Sequence, residues 1–262
     1  MILDLRREVR RAPPLVVDAS KSGAADRAAA IENWRNRMVS EHVSARVFGV
    51  LTAQMIGAGL PRAEIARVAD MARQELDHGL ACARVLGALG EPAVAPLPPL
   101  DDVPLHEDAS PLEGVLRNVL SIGCASETVA VALVGTEREH AGSAAIRGVL
   151  DRILRDEVKH ARFGWRLVAK LAPSLDPATR ERLDAYLEDV FAHEIAFHAP
   201  FLRMANAEAP GLAIGAPHGR SSWAVFVETT RDVVVPGLER HGFRARAAWQ
   251  RATDALRVRR AA

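Results

Sequence analysis

Two short stretches of the sequence each place a glutamate three residues before a histidine. They are RQELDH, which contains Glu75 and His78, and RDEVKH, which contains Glu157 and His160. Residues three positions apart lie on the same face of an α-helix, so each carboxylate lies beside its imidazole. A carboxylate oxygen and an imidazole nitrogen on one face are suited to binding a divalent metal ion. The two stretches therefore predict a metal-binding pair on each of two helices.

Four long helices are predicted to position these pairs. They run from about Ile31 to Gly57, from Pro61 to Gly90, from Pro111 to about residue 140, and from there to about Leu171. The start of the third helix is marked by Ser110, Pro111 and Glu113, which have the spacing of a capping box with proline at the first helical position. Between Gly90 and Ser110, five prolines exclude a helix.

The lengths of the connections predict the topology. Short connections make antiparallel neighbours of the first and second helices and of the third and fourth. The proline-rich connection of about twenty residues can stretch roughly 65 Å, whereas a helix of about 28 residues is only about 42 Å long. We therefore expect an all-α fold, a four-helix bundle over residues 31–171 made of two antiparallel hairpins joined by a long crossover. Residues 1–30 are an N-terminal extension, and residues 172–262 are expected to add two or three helices that pack on the bundle.

The apolar seam of each predicted helix is interrupted either by a single glutamate or by a glutamate–histidine pair. The turns of the two hairpins centre near Gly59 and Gly142, and the interruptions in each hairpin lie fifteen to nineteen residues from its turn. Residues equally far from an antiparallel turn lie at the same height in a bundle. The pattern predicts that six side chains meet in one layer of the core, namely Glu41, Glu75, His78, Glu127, Glu157 and His160.

Four glutamates in one core layer need positive charge. Isolated buried carboxylates cost many kcal/mol unless something neutralises them. No lysine or arginine occupies the seam positions, and two divalent cations would balance the four carboxylates. Carboxylate oxygens with one imidazole per metal suit iron or manganese better than a thiolate-dependent zinc site. The sequence therefore predicts a di-metal centre.

This arrangement resembles the ferritin-like di-iron carboxylate superfamily, in which two helices give one Glu each and two give Glu-x-x-His. The resemblance covers roughly residues 31–171 and rests on Glu41, ELDH at 75–78, Glu127 and EVKH at 157–160. It implies two irons, one held largely by the first three ligands and one by the last three, with one or two glutamates bridging and manganese as the alternative metal. It also places Asp156 where the superfamily often has an acid that orients a histidine, whereas Gln74 stands at the equivalent place on the second helix.

By the same resemblance, the chain is similar to bacterial non-heme di-iron oxygenases. That implies an O2-dependent monooxygenase or oxidase acting on a small organic molecule, by N-oxygenation or hydroxylation in a tailoring pathway, with electrons from a ferredoxin or flavin reductase. Related arylamine N-oxygenases typically have a histidine where Ile153 stands, which counts against that substrate. The alternative is a ferritin- or rubrerythrin-like protein that oxidises iron or scavenges peroxide without an organic substrate.

Composition restricts the partners. The 34 basic and 33 acidic residues are intermixed, so no basic stripe predicts nucleic-acid binding. The two cysteines form neither a CxxC motif nor a disulfide framework, and no continuous apolar run is long enough to span a membrane. We therefore expect a cytoplasmic protein without a membrane partner, and a homodimer is left open.

A second group of polar residues lies in the predicted C-terminal helices. HEIAFH resembles a zinc protease motif, but His193 and His198 are five residues apart and do not share a helical face. Glu194 and His198 do share a face. Their default interpretation is a surface or inter-helix hydrogen bond, and the alternative is an extra metal ligand or a proton relay. Cys82 and Cys124 are interpreted as core residues rather than redox thiols.

Overall fold

The structure is a computed structural model that describes residues 1–98 and 103–261. Its helices are α1 (Arg6–Arg11), α2 (Ala24–Gly57), α3 (Arg62–Ala88), α4 (Pro111–Asn118), α5 (Glu127–His140), α6 (Ala144–Leu171), α7 (Pro177–His198), α8 (Ala209–Leu212), α9 (Arg220–Thr229), α10 (Val235–Arg240) and α11 (Ala245–Ala261). π-helical turns continue α4 into α5 over Val119–Ser126 and α9 into α10 over Thr230–Val234, and 3-10 turns cover Ala172–Ser174 and Ala199–Arg203. Two short strands, β1 (Ile2–Asp4) and β2 (Val94–Pro96), pair antiparallel.

The chain divides into two compact units. The first contains Met1–Leu105, Val134–Asp156 and Ala205–His218, and the second contains His106–Leu133, Glu157–Met204 and Gly219–Ala262. The predicted boundaries of the extension, the bundle and the C-terminal helices stay a prediction. Part of the predicted crossover, residues 99–102, lies outside the described residues.

The core of the first unit lies between α2, α3, the end of α5 and the start of α6. Trp34 and Met38 of α2, Leu86 of α3 and Ile146 of α6 are fully or almost fully buried there. The Trp34 indole N–H donates to the carbonyl of Ile214, 2.9 Å away. This hydrogen bond holds the segment that contains Ile214 against α2. The buried positions of α2 recur every three or four residues, and this period places one face of the helix in the core.

Both predicted short connections are present. After α2, Gly59 has a φ of 66°, and the N–H of Leu60 donates to the carbonyl of Met55 as in a helix-ending Schellman motif. Before α6, the Ser143 hydroxyl accepts the N–H of Ile146 at 3.1 Å. Each connection reverses the chain within a few residues, and so α2 and α3 pack as antiparallel neighbours.

The second unit contains the helices predicted after residue 171. α7 packs against α11 and against the π-helical turn Val119–Ser126. The core here contains Leu116, Leu120, Leu187, Phe191 and Phe226, all buried. The three C-terminal segments that the sequence indicated fall within α7, within α9 and its π-helical continuation, and within α11.

Of the two interactions in the capping box predicted at the start of α4, the structure has the first, whereas the second is replaced by an ion pair. Ser110 caps the helix, and its hydroxyl accepts the N–H of Glu113 at 3.3 Å. The Glu113 carboxylate, however, accepts hydrogen bonds from Arg117 and Arg182 at 2.7 to 2.8 Å. These two arginines hold the pKa of Glu113 below its ordinary value, with the hydrogen bond from Arg182 as the largest cause. The carboxylate is thus drawn into a buried ion pair instead of a capping box.

One described helical stretch, Pro111–His140, is long and apolar enough to cross a membrane by composition alone. In its most apolar window, 44% of the residues are buried inside the structure, and the core helix of a soluble protein passes the same test. The stretch is therefore weak evidence for a membrane span.

The two cysteines are buried free thiols. Burial raises the pKa of both, and the nearby carboxylate of Glu41 adds to the effect at Cys82. Because the thiolate is the reactive form, we expect neither cysteine of the folded protein to react with a thiol reagent such as a disulfide dye at neutral pH. Both should react once the protein is unfolded in guanidinium, which serves as the control. Rapid labelling of either thiol in the folded protein would contradict the described burial.

Candidate metal centre

The first unit contains three of the six predicted site residues in one buried cluster, called the first triad: Glu41 of α2 with Glu75 and His78 of α3. Nδ1 of His78 lies 3.6 Å from a carboxylate oxygen of Glu41 and 3.7 Å from one of Glu75. Each residue offers a ligand atom within 4.8 Å of the others. The three side chains are 8%, 2% and 0% exposed, so water is largely excluded from them.

The second unit contains the other three, called the second triad: Glu127 of α5 with Glu157 and His160 of α6. Nδ1 of His160 lies 3.5 Å from a carboxylate oxygen of Glu127 and 3.4 Å from one of Glu157. All three side chains are buried, and their ligand atoms also lie within 4.8 Å of one another. The two triads therefore repeat the same donor set with the same imidazole nitrogen.

The distances within each triad fit a shared cation. At 3.4 to 3.7 Å, the imidazole and carboxylate atoms lie beyond the usual length of an N–H···O hydrogen bond. Two ligand atoms bound to one ion at about 2.1 Å are separated by roughly 3.0 to 3.6 Å as the coordination angle opens from about 90° to about 120°, so the observed distances lie near the upper end of this range. Two carboxylates and one imidazole form a hard, mixed oxygen and nitrogen donor set, which suits iron or manganese. The residues present thus fit the predicted metals, and their role as ligands stays a prediction.

Asp156 lies at the outer nitrogen of one of the two histidines, at the long end of hydrogen-bonding distance. Its carboxylate lies 3.4 Å from Nε2 of His78, on the side of the ring away from the first triad. A carboxylate at Nε2 favours a proton on that nitrogen and leaves the lone pair on Nδ1, which faces the glutamates. The structure thus places Asp156 as the sequence predicted. Gln74, at the equivalent position of α3, donates to Asp70 at 3.2 Å.

An arginine that the sequence reasoning missed approaches the first triad. Arg37 lies one turn before Glu41 and 3.9 Å from it, and it forms a shorter ion pair with Glu137. Burial alone would lower the pKa of Arg37, but Glu137 and Glu41 together raise it, so the guanidinium stays charged. Glu137 already balances the positive charge of Arg37. The carboxylates of the first triad therefore still need another positive charge, such as a metal ion, to balance them. The only local signal in the sequence was the four-residue spacing between Arg37 and Glu41.

Backbone contact between two glycines positions the second triad. Gly123, in the π-helical turn, lies one turn before Glu127, and Gly164 lies one turn after His160. A Cβ atom added to Gly123 would lie 2.9 Å from Cα of Gly164, and one added to Gly164 would lie 2.5 Å from the carbonyl carbon of Gly123. Only residues without a side chain allow the two helices to approach this closely, and the approach brings Glu127 to His160.

Glu194 and His198 lie close to the segment that carries Glu127. The Ser126 hydroxyl lies 2.5 Å from Glu194 Oε1, and Nε2 of His198 lies 3.5 Å from Glu194 Oε2. Both side chains of α7 are buried. Of the default alternatives, a surface or an inter-helix hydrogen bond, the inter-helix bond is present for Glu194, which pairs with Ser126. His193 is exposed, so it does not join a site with His198.

A groove of about 1020 Å³ lies in the first unit. It is lined by one face of α2, including Glu32, Arg35 and Val39, and by residues around β2. None of the six predicted ligands lines it. The substrate pocket expected from residues 172–262 stays a prediction.

Comparisons with known proteins identify the fold. No protein-family model matches the chain, and no curated protein matches it. Among solved structures, the chain is similar to protein 19 with aldehyde deformylating oxidase activity from Synechococcus, with a TM-score of 0.61 and 21% identity. The similarity covers 91% of this chain and 100% of that one. At this identity the similarity shows the fold, and the chain therefore has the predicted all-α, ferritin-like fold.

Proposed function

We propose that the two triads form one di-metal centre and that the protein is an O2-dependent di-iron oxidoreductase. The observation that carries the proposal is the repetition of one buried Glu, Glu, His donor set with matching distances.

Each residue has a defined role in this proposal. Glu41, Glu75 and His78 would hold one iron, and Glu127, Glu157 and His160 the other, with one or two glutamates bridging and manganese as the alternative at either position. When bound, a pair of ferrous ions supplies electrons jointly to dioxygen. The protein contributes burial, which excludes water, and four carboxylates, which balance the charge of the metals. Asp156 keeps the Nδ1 lone pair of His78 directed at the carboxylates.

The proposed substrate is a small organic molecule, oxidised by a monooxygenase or oxidase reaction. The similar protein from Synechococcus is described by an oxidase activity on aldehydes, which favours oxygen chemistry over iron storage for this fold. Repeated turnover needs electrons from outside the centre, so we include a ferredoxin or flavin reductase as electron donor. A cytoplasmic location and a homodimer remain parts of the proposal to be measured. The second candidate is an iron-oxidising or peroxide-scavenging protein of ferritin or rubrerythrin type.

Iron quantification and O2 uptake test this function. We expect about two irons per chain, as in di-iron carboxylate bundles, and a rapid change in the optical spectrum when the reduced protein meets O2. With a chemical reductant, O2 uptake should rise on addition of an oxidisable organic substrate, for which aldehydes, amines and hydrazines are the first compounds to screen. Protein loaded with redox-inactive zinc is the control and should consume no O2. Accumulation of many irons per chain without substrate-dependent uptake would favour the second candidate, and absence of bound metal would refute both.

A further inference from the structure

A buried ion pair, Arg37 with Glu137, lies beside the first triad and within the same unit. One guanidinium nitrogen of Arg37, Nη2, lies 2.5 Å from a carboxylate oxygen of Glu137, and the other, Nη1, lies 3.9 Å from Oε1 of Glu41. The side chains of Arg37 and Glu137 are 15% and 17% exposed. The guanidinium therefore lies between a proposed metal ligand on α2 and a second carboxylate on α5.

The positive charge of Arg37 is fixed at one edge of the first triad. Its contact is with Oε1 of Glu41, whereas Oε2 of Glu41 lies 3.6 Å from Nδ1 of His78. A separation of 3.9 Å is too long for a hydrogen bond, so Arg37 acts on Glu41 through its charge. The guanidinium also lies over the ring of Trp34, 5.9 Å from the centroid, which is within the range of a cation–π contact.

Stability alone is a weak explanation for this ion pair. Removal of two charges from water costs several kcal/mol per ion, and a buried pair often stabilises a protein no more than apolar side chains of similar volume. The next residue, Arg138, pairs with Asp151 at the surface, where this cost is small. The buried position of Arg37 beside a ligand is better explained by an effect on that ligand.

The net charge around the first triad identifies this effect. Glu41 and Glu75 have two negative charges, and a histidine that binds a metal is neutral. Arg37 and Glu137 add one charge of each sign. The triad and the pair together therefore have a net charge of −2, which one divalent ion neutralises. Without Arg37 the net charge would be −3, and without Glu137 it would be −1.

We propose that Arg37 and Glu137 are positioning residues that match the first triad to a divalent metal ion. Arg37 opposes further positive charge at the triad, and Glu137 limits this opposition by neutralising part of the guanidinium charge. The role rests on the proposed function, in which the first triad holds one of the two metals. It deepens that function, because it names the residues that select the charge of the ion and, for iron, the oxidation state.

Zinc affinity tests this role without a measurement of activity, because zinc has no redox chemistry. We expect Arg37→Gln to bind zinc about tenfold or more tightly than the wild type, and Glu137→Gln about tenfold or more weakly, since buried charges a few ångströms apart are poorly screened. The double variant Arg37→Gln/Glu137→Gln removes both charges, so its affinity should return close to the wild-type value. Competition with a chromophoric chelator measures the affinity, and circular dichroism confirms folding.

Two further variants separate charge from structure. Arg37→Lys keeps the positive charge and should bind zinc more like the wild type than like Arg37→Gln. Arg138→Gln is the matched control, because Arg138 is exposed and pairs with Asp151, and its zinc affinity should be unchanged. In the iron-loaded protein, the reduction potential should fall in Arg37→Gln and rise in Glu137→Gln, because ferric iron has one more positive charge than ferrous iron.

Parallel changes of zinc affinity in Arg37→Gln and Glu137→Gln would overturn the proposal, because loss of a purely structural ion pair weakens binding in both variants. If Glu137→Gln does not fold, the comparison of Arg37→Gln with Arg37→Lys decides, and zinc binding that is no tighter in Arg37→Gln overturns the proposal. If the affinities change as expected but the iron-loaded protein does not react with O2, the proposed function fails while the role of the ion pair stands. A wild-type protein that binds no zinc would refute both.

Discussion

Replacing His160 by alanine is expected to remove at least one metal ion, so the metal content of the isolated protein should fall to about half or less of the wild-type value. The variant deletes the only nitrogen donor of the second triad and leaves two carboxylates facing an empty position. Even residues that only orient a ligand contribute about 10- to 100-fold to metal affinity, so a direct ligand should contribute more. Glu41→Ala should have a similar effect through the first triad. Elemental analysis after dialysis, with circular dichroism to confirm folding, measures both.

Glu113→Gln provides the control for these variants. Glu113 is as deeply buried as the triad glutamates, but its carboxylate binds Arg117 and Arg182. Loss of this carboxylate should leave the metal content unchanged, although the freed arginines should lower stability. Wild-type metal content in both His160→Ala and Glu41→Ala would show that the triads are not the ligands.

The second large effect is expected from Gly164→Ala. The new Cβ atom would lie 2.5 to 2.7 Å from three backbone atoms of Gly123, and backbone at a helix crossing cannot move aside as the end of a flexible side chain can. We expect the free energy of unfolding to fall by about 3 kcal/mol or more, at the upper end of the range for overpacking. Metal content should fall with it, because His160 lies one turn away in α6. Urea unfolding followed by circular dichroism measures the change.

Gly148→Ala is the matched control in the same helix. Gly148 is exposed, and a Cβ atom added there would have nothing within 4 Å. The substitution should therefore raise the free energy of unfolding by roughly 0.5 to 1 kcal/mol, because alanine favours the helix more than glycine does. Equal stability of Gly164→Ala and the wild type would mean that α6 and the π-helical turn do not meet as described.

Much of the architecture could be predicted because it depends on local patterns. The apolar period of the long helices, the proline-rich connection and the paired spacing of glutamate and histidine are all readable within one helix or one turn. α2 nevertheless begins at Ala24, seven residues before the predicted start at Ile31. Its first turns, AADRAAA, are rich in alanine and lack the apolar stripe on which the prediction relied, but alanine is the strongest helix former.

Features that depend on distant partners could not be predicted. Arg37 and Glu137 are 100 residues apart, and no local signal pairs them. β1 and β2 are three residues each and come from opposite ends of the first hundred residues. The π-helical turn before Glu127 could not be predicted either. A π-helical turn adds one residue to a helix, and an apolar spacing of three and four residues does not reveal this addition. These features change the environment of the six candidate ligands. The six residues themselves could be identified from the helical periodicity of the sequence.

Each triad comes from a short, continuous part of the chain. The first triad lies within residues 41–78 and the second within residues 127–160, and each contains one turn between two helices. Groups this close in sequence meet after the closure of a single small loop, which costs little chain entropy. In the proposed function each hairpin carries the three donors assigned to one ion, and capture of an ion by a nascent hairpin would hold its two helices in register before the remainder of the polypeptide has been synthesised.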